Sequence, residues 1–277
     1  ECTFYSKEKL FWDGHKLTNR IFETKEGWAQ YAKQYDYDER GNIWRQTLWG
    51  NLSGYNDKPI SYPPNGYPEY NGCEFAFNLF TYSDDGMNLM TSQTEGKTAH
   101  IDYSYHPGTD LLASKLTGPI GSIALREFYE YDQNGVLVLQ IEDDGSSKSK
   151  DDLTGVTERR VKRILPSPTT PVGLPIIIED KYVDLETGYE GFVHRIVQSY
   201  TSEGWLARKE LYDQNNEFVH VERWEYDVNG NVVLYEDPAG RIITREYDIN
   251  HNLIREAGPT PDFELQFTYD FSDRLIK

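Results

Sequence analysis

The chain has 277 residues, with 46 acidic against 28 basic side chains and a formal net charge of −18. That balance argues against nucleic acid and against an anionic membrane as partners, since both reward Lys and Arg. No run of about 20 apolar residues is present, so no membrane-spanning helix is expected, and the chain begins at Glu1 without a basic-then-apolar export signal.

Taken in chain order, the first elements are ambiguous. Cys2 and Cys73 are too few for a disulfide framework and stand at no metal-ligand spacing; a pairing between the two stays open. Phe22 to Lys33, with Trp28 and Tyr31, reads either as one short helix or as a strand pair. Asp36-x-Asp38-x-Arg40-Gly41 begins like a calcium loop, but Arg40 occupies a ligand position and Thr47 stands where a bidentate Glu is needed, so it reads as a hairpin turn. The phrase Tyr37-Asp38-Glu39-Arg40-Gly41-Asn42 then recurs as Tyr131-Asp132-Gln133-Asn134-Gly135, with degraded copies at Tyr82, Tyr105 and Tyr200. Asp84-Asp85-Gly86 and Asp143-Asp144-Gly145 could bind calcium, yet Asp before Gly is ordinary turn chemistry.

From Gly145 to about Tyr200 the pattern changes. A Ser/Lys/Asp loop leads to the basic cluster Arg159-Arg160-Val161-Lys162-Arg163, then to Pro166, Pro168, Pro171 and Pro175, with Ile176 to Val183 as a buried or edge strand. This segment reads as a decorated insertion, the competing reading being a processing or docking loop cut at the dibasic pair.

The C-terminal third is regular. Tyr226-Asp227, Tyr247-Asp248 and Tyr269-Asp270 lie 21 and 22 residues apart, and a fixed period near 20 signals a repeat architecture. Glu222 to Tyr226 alternates large aromatics with charges, the period-2 signature of a strand. Asn229-Gly230 then supplies two positive-φ positions for a tight turn, and Val232 to Glu236 returns as the next strand. Asp237-Pro238-Ala239-Gly240 turns the chain again before Ile242 to Tyr247. Where Gly is missing from the turn, after Tyr212-Asp213 and in the later copies, Asn216, His251 and Asp273 replace it, the types that best tolerate left-handed backbone. The fold expected is all-β, a repetitive antiparallel hairpin meander. Divisions fall at 1–145 (degenerate repeats), 146–199 (Pro-rich insertion or irregular repeat) and 200–277 (regular repeats, expected to continue beyond Lys277 because an array cut mid-unit lacks its cap). The composition of 21 Tyr, 12 Phe and 6 Trp with only 38% hydrophobic residues and a mean hydropathy of −0.71 suits a single curved sheet with no dry face. An ordinary β-sandwich with a tyrosine-rich surface is the alternative.

Tyr-Asp, two residues, Gly or a substitute, a short strand, then Asp-x-x-Gly-Arg and another Tyr-Asp resembles the Rhs/YD-repeat family, which includes bacterial polymorphic toxins, toxin-complex subunits and the teneurins. The match is best from Tyr226 through Asp248. The resemblance implies a sheet strip that spirals into a hollow shell, the partners being the rest of the same chain and an enclosed C-terminal toxin or effector domain. It implies a secreted or cell-surface location. It also gives structural roles to Tyr37, Asp38, Gly41, Tyr131, Asp132, Gly135, Tyr212, Asp213, Tyr226, Asp227, Gly230, Asp237, Gly240, Tyr247, Asp248, Tyr269 and Asp270. In the family an Asp-Pro-x-Gly motif marks self-cleavage; here Gly240 is followed by Arg241 and another repeat, so an ordinary turn is expected.

Catalytic chemistry is not legible. The six histidines never pair at ligand spacing, and there is no nucleophile elbow, His-Glu-x-x-His helix or phosphate loop. No enzyme activity, cofactor or metal is expected. A second function class is a carbohydrate-binding or adhesive module, in which Trp12, Trp44, Trp49, Trp205 and Trp224 stack on cell-surface glycans.

Overall fold

The computed structural model describes residues 7–56, 58, 60–169, 172–260 and 262–276; Cys2, Pro171 and Lys277 lie outside them. Among the described residues the elements are nineteen β-strands and no helix. The chain divides into two compact units, Glu1–Arg126 with Gly145–Thr154, and Glu127–Asp144 with Gly155–Lys277. These units reflect compactness, whereas the division at 145 and 199 reflects regularity of the repeat.

The first unit contains β1 (Lys7–Asp13), β2 (Lys16–Glu23), β3 (Ala29–Tyr37), β4 (Ile43–Gly50), β5 (Glu74–Tyr82), β6 (Met90–Glu95), β7 (Ala99–Tyr105) and β8 (Leu112–Pro119). Each pairs antiparallel with its sequence neighbour. Phe22 to Lys33 is therefore a strand pair around the turn at Thr24 to Trp28. The β4–β5 connection, 51–73, has no counterpart in the repeat. It places Ile60 against Ile21, Ala29 and Ala32, with Phe11, Trp49 and Tyr62 packed around them. Glu23, itself buried, accepts a hydrogen bond from Lys9 at 2.8 Å and one from the Tyr62 hydroxyl. The loop 145–154 also belongs here: Arg126 is fully buried and its Nη1 donates to the carbonyls of Ser147, Ser149 and Asp152 at 2.8, 3.0 and 3.1 Å. A buried guanidinium with three carbonyl partners holds that loop by its backbone.

β9 (Leu125–Tyr131) crosses the boundary between the units. The second unit continues with β10 (Leu137–Asp143), β11 (Arg159–Pro166), β12 (Pro175–Val183), β13 (Glu190–Tyr200), β14 (Leu206–Tyr212), β15 (Phe218–Tyr226), β16 (Val232–Glu236), β17 (Ile242–Tyr247), β18 (Leu253–Ala257) and β19 (Glu264–Gln266). From β10 onward each strand again pairs antiparallel with the next. The Pro-rich stretch thus contributes three strands to the meander. Arg159 and Arg160 begin β11, with Arg160 opposite Tyr182 and Val161 buried, rather than forming an open loop.

Among the described residues from Ser167 onward no apolar side chain is buried. The reason is architectural: every strand contact in this unit is with a sequence neighbour, so no second layer of its own covers the sheet. The two faces nevertheless differ. In β17, Ile242, Thr244 and Glu246 are exposed while Ile243, Arg245 and Tyr247 are half-buried. The half-buried face carries Trp224 stacked on Tyr235 at 5.5 Å and the ion pairs Lys209–Glu222 and Arg245–Glu256 at 2.9 and 2.8 Å. Aromatic ladders and cross-strand charge pairs stabilise this sheet where a dry core would in a sandwich.

The hairpin turns differ from a two-residue turn with two positive-φ positions. Only Gly230 is left-handed, at φ 89, and Asn229 is not among the positive-φ residues. Gly230 N–H donates to Asp227 O at 3.2 Å and Asp227 N–H to Asn231 O at 3.0 Å, while the register slips at Tyr226. This is a type I turn closed by a left-handed bulge residue. Asn216, His251 and Asp273 adopt the same conformation at φ 59, 68 and 57.

Two substitutions separate the turn requirement from side-chain chemistry. Asn216→Gly is expected to be neutral or stabilising by up to about 1 kcal/mol. Gly230→Val should destabilise by about 1–2 kcal/mol or more, because a Cβ there would also lie 2.8 Å from the Trp205 ring. Urea unfolding of each variant measures the difference, and equal stabilities would refute the assignment.

Candidate functional site: the Tyr-Asp staple

Each Tyr-Asp pair joins two devices. The aspartate carboxylate caps its own turn: Asp227 Oδ1 accepts the N–H groups of Asn229 and Asn231, both at 2.9 Å, and Oδ2 accepts Asn231 Nδ2 at 2.8 Å. Asp248 repeats this with Asn250 and Asn252, and Asp270 with Ser272, Arg274 and the Arg274 Nε. Asp38, Asp132 and Asp213 likewise accept the N–H four residues on. Such side-chain-to-backbone bonds favour the type I turn, which explains why one glycine position suffices.

The tyrosine reaches sideways. Its hydroxyl donates to the carbonyl at or beside the start of the preceding strand: Tyr226 to Leu206 at 2.8 Å, Tyr247 to Val232 at 3.1 Å, Tyr269 to Leu253 at 3.0 Å and Tyr37 to Leu17 at 2.9 Å. The degraded copies Tyr82, Tyr105 and Tyr200 do the same toward Ile43, Met90 and Pro175. Tyr212 is different, donating to the Glu210 carboxylate at 3.0 Å; it ends an even-numbered strand, at the opposite margin of the sheet. Tyr131 closes β9 before the turn in which Gly135 donates to Asp132. Gly41 and Gly240 close their turns in the same way against Asp38 and Asp237.

Neighbouring turns are also tied to one another. Asn231 Nδ2 meets His251 Nδ1 at 3.1 Å, and Asn250 and Asn252 both donate to Asp273, at 3.0 and 2.8 Å. Trp205 lies over Gly230 and against the Tyr226 ring, with centroids 5.2 Å apart. The position after Asp holds Glu39, Gln133 and Gln214 in earlier turns but Val228, Ile249 and Phe271 in the last three, where the side chains are 95%, 95% and 98% exposed. Alternate strands place these tips about 10 Å apart.

The Asp-Pro-Ala-Gly turn has a different chemistry from a reactive site. Asp237 is buried, its Oδ1 accepts Ala239 and Arg241 N–H groups at 2.8 and 3.0 Å, and Oδ2 accepts Arg241 Nε at 2.6 Å. Both oxygens are held by the turn.

The other sequence candidates are dispersed. Asp85 caps Ser83 and Met87, and Asp144 binds Thr157 and Glu158. Among the described residues no three His, Cys, Asp or Glu side chains converge as a metal site. Trp49, Trp205 and Trp224 are packed against Phe75, Tyr226 and Tyr235, leaving Trp12 and Trp44 exposed among the five named for sugar stacking. Sequence reasoning missed a polar cavity of about 470 Å³ on β10–β13, where Asp180 joins His194 Nε2 at 2.8 Å and Lys162 Nζ at 3.6 Å. Arg160 and Glu158 in the same lining also pair, at 2.7 Å, and the convergence of these charges depends on strand register that no local motif records.

No family model matches this chain, and no curated protein does. Among solved structures it is similar to TcdB2-TccC3-TEV, at 10% identity over 92% of this chain and 15% of that chain, with a TM-score of 0.30. It is also similar to the Photorhabdus luminescens Tc holotoxin pore with the TccC3-D651A mutation, at 9% identity over 95% and 19% of the two chains and a TM-score of 0.29. A porin-like protein from Bacteroides uniformis ATCC 8492 is similar at 9% identity over 91% of each chain, with a TM-score of 0.31. The chain spans less than a fifth of the length of these two toxin chains. Likenesses this weak carry no argument.

The staple predicts the pH dependence of stability. The Asn231 side chain holds the Asp227 carboxyl below 3.8, the Val136 amide does so for Asp132, the Arg241 amide for Asp237, the Asn252 amide for Asp248 and the Arg274 side chain for Asp270. Groups with depressed folded values stabilise above the unfolded value and lose that contribution as pH falls. Burial raises the phenols of Tyr200, Tyr226 and Tyr247 above 10.0, so their contribution is full below that pH and lost as pH rises through and beyond it. Stability measured by urea midpoint should therefore be flat from about pH 5 to 9 and fall on both sides. Tyr226→Phe should cost about 0.5–1.5 kcal/mol, and a midpoint unchanged by it would remove the hydroxyl bond from the account. Purified protein should stay intact on a gel, with no fragment ending at Gly240.

Proposed function

We propose that this chain is a structural segment of a secreted or surface-delivered Rhs-type bacterial protein, in which the repeat sheet forms part of a shell that encloses or displays a C-terminal effector domain, and that it has no catalytic role of its own. The observation carrying this reading is the half-buried face of β14–β18, over which the second unit lays no second layer of its own. Aromatics and ion pairs make that face too apolar for a solvent surface and too polar for a dry core, which suits the wall of a compartment filled by another polypeptide.

Two further features support it. The turns are cross-tied to their neighbours along one margin of the second unit, as expected of an array stabilised by nearest-neighbour contacts. The apolar tips Val228, Ile249 and Phe271 repeat at the pitch of alternate strands, so another winding of the same sheet would meet all three in register.

The full-length protein tests the proposal. Expressed whole, it should carry additional Tyr-Asp repeats and a C-terminal domain that resists protease while the sheet is folded and becomes cleavable when the sheet is unfolded with denaturant. A full reading frame without further repeats, or a C-terminal domain digested as fast in the intact protein as alone, would overturn it.

A further inference from the structure

The turn at Thr24 to Trp28 and the first residues after β4 together bound an open cleft of about 640 Å³, lined by Trp28, Gln30, Tyr31, Asn51, Leu52 and Lys58 above Ala29. Its volume is within the range of about 300–1,000 Å³ typical of small-ligand sites. The whole cleft belongs to the first unit.

The backbone of Trp28 and the ring of Tyr31 are both held by neighbours. The Trp28 backbone is pinned by Thr24: its carbonyl accepts the Thr24 N–H at 2.9 Å and its N–H donates to Thr24 Oγ1 at 3.3 Å. The indole itself is 63% exposed. Tyr31 stacks on Phe22 at 4.1 Å with an interplanar angle of 15°, and Arg20 covers the Phe22 ring at 5.5 Å. The floor, Ala29, is buried and bridges to Ile60.

The polar groups are two side-chain amides, a tyrosine hydroxyl and a lysine. Gln30 and Asn51 present side-chain amides, and Asn51 is oriented by the Asn56 N–H on its Oδ1 at 3.1 Å. Lys58, whose backbone N–H donates to Asn56 Oδ1 at 3.2 Å, is the only charged side chain among the described residues lining the cleft. Among the described lining residues there is one cation and no acid, in a chain of net charge −18.

We infer that this cleft binds an oligosaccharide, neutral or carrying a uronic acid, through stacking of a pyranose face on Trp28. A pyranose ring has an apolar C–H face and a hydroxyl rim; an exposed indole suits the first and the side-chain amides of Gln30 and Asn51 suit the second. Among the described lining residues Leu52 is the only large aliphatic group, too little for an acyl chain, and Lys58 opposes cationic ligands. This site is separate from the sheet face proposed to contain cargo, so either reading can fail without the other.

The experiment is a glycan array of neutral and uronic-acid oligosaccharides probed with the purified chain, followed by a fluorescence titration with the best-binding oligosaccharide. Trp28→Ala and Gln30→Ala should each weaken binding, the former about tenfold or more, with unchanged melting because both side chains are exposed. Trp12→Ala and Trp44→Ala, exposed tryptophans outside the cleft, should bind as the parent does. Lys58→Gln should lower affinity for uronic-acid sugars more than for neutral ones. No binding on the array, binding that survives Trp28→Ala, or equal loss in Trp12→Ala would overturn the inference.

Discussion

The bond from a strand-end tyrosine to the carbonyl at the start of the neighbouring strand is the constraint on which this architecture depends. The sheet of the second unit has no opposing layer of its own of the kind that fixes register in a sandwich. Here register is fixed at the margins. The aspartate shapes the turn, the bulge offsets the ladder by one residue, and the tyrosine ties the bulged end to its neighbour. Because the repeats at Tyr226, Tyr247 and Tyr269 carry both halves of the device, the sheet can be extended by adding hairpins without adding a core.

This division of labour explains the tolerance of the sequence. Asn216, His251 and Asp273 satisfy the backbone requirement without glycine, and Tyr82, Tyr105 and Tyr200 keep the hydroxyl bond after the following Asp has drifted to Ser, His or Thr. Tyr212 shows the converse: the turn persists through Asp213, but the hydroxyl turns to a carboxylate on its own strand.

Much of the fold was legible because its causes are local. Strand alternation, the 21–22-residue period and the left-handed substitutes all lie within one repeat. Features built from distant residues were not. The turn type depended on the Asp carboxylate rather than on the Asn-Gly dipeptide, the 51–73 segment found its partners on β1–β4, and Arg126 gathered carbonyls more than 20 residues away. Prolines suggested an insertion at 146–199, yet Pro166 and Pro175 sit at strand ends, where a missing N–H costs little. Trp28 was hidden in a segment that read equally as a helix, so its cleft became visible only once the turn beneath it was placed.

Amide hydrogen exchange in the regular repeats tests the central claim most directly. If the aspartate cap and tyrosine tie hold each turn, the amides of Asn231, Arg241 and Asn252 exchange slowly although they lie in surface turns, and Asp227→Ala releases Asn231 while leaving Asn252 protected. Exchange of these three amides at the rate of an unstructured peptide in the parent protein would contradict the account.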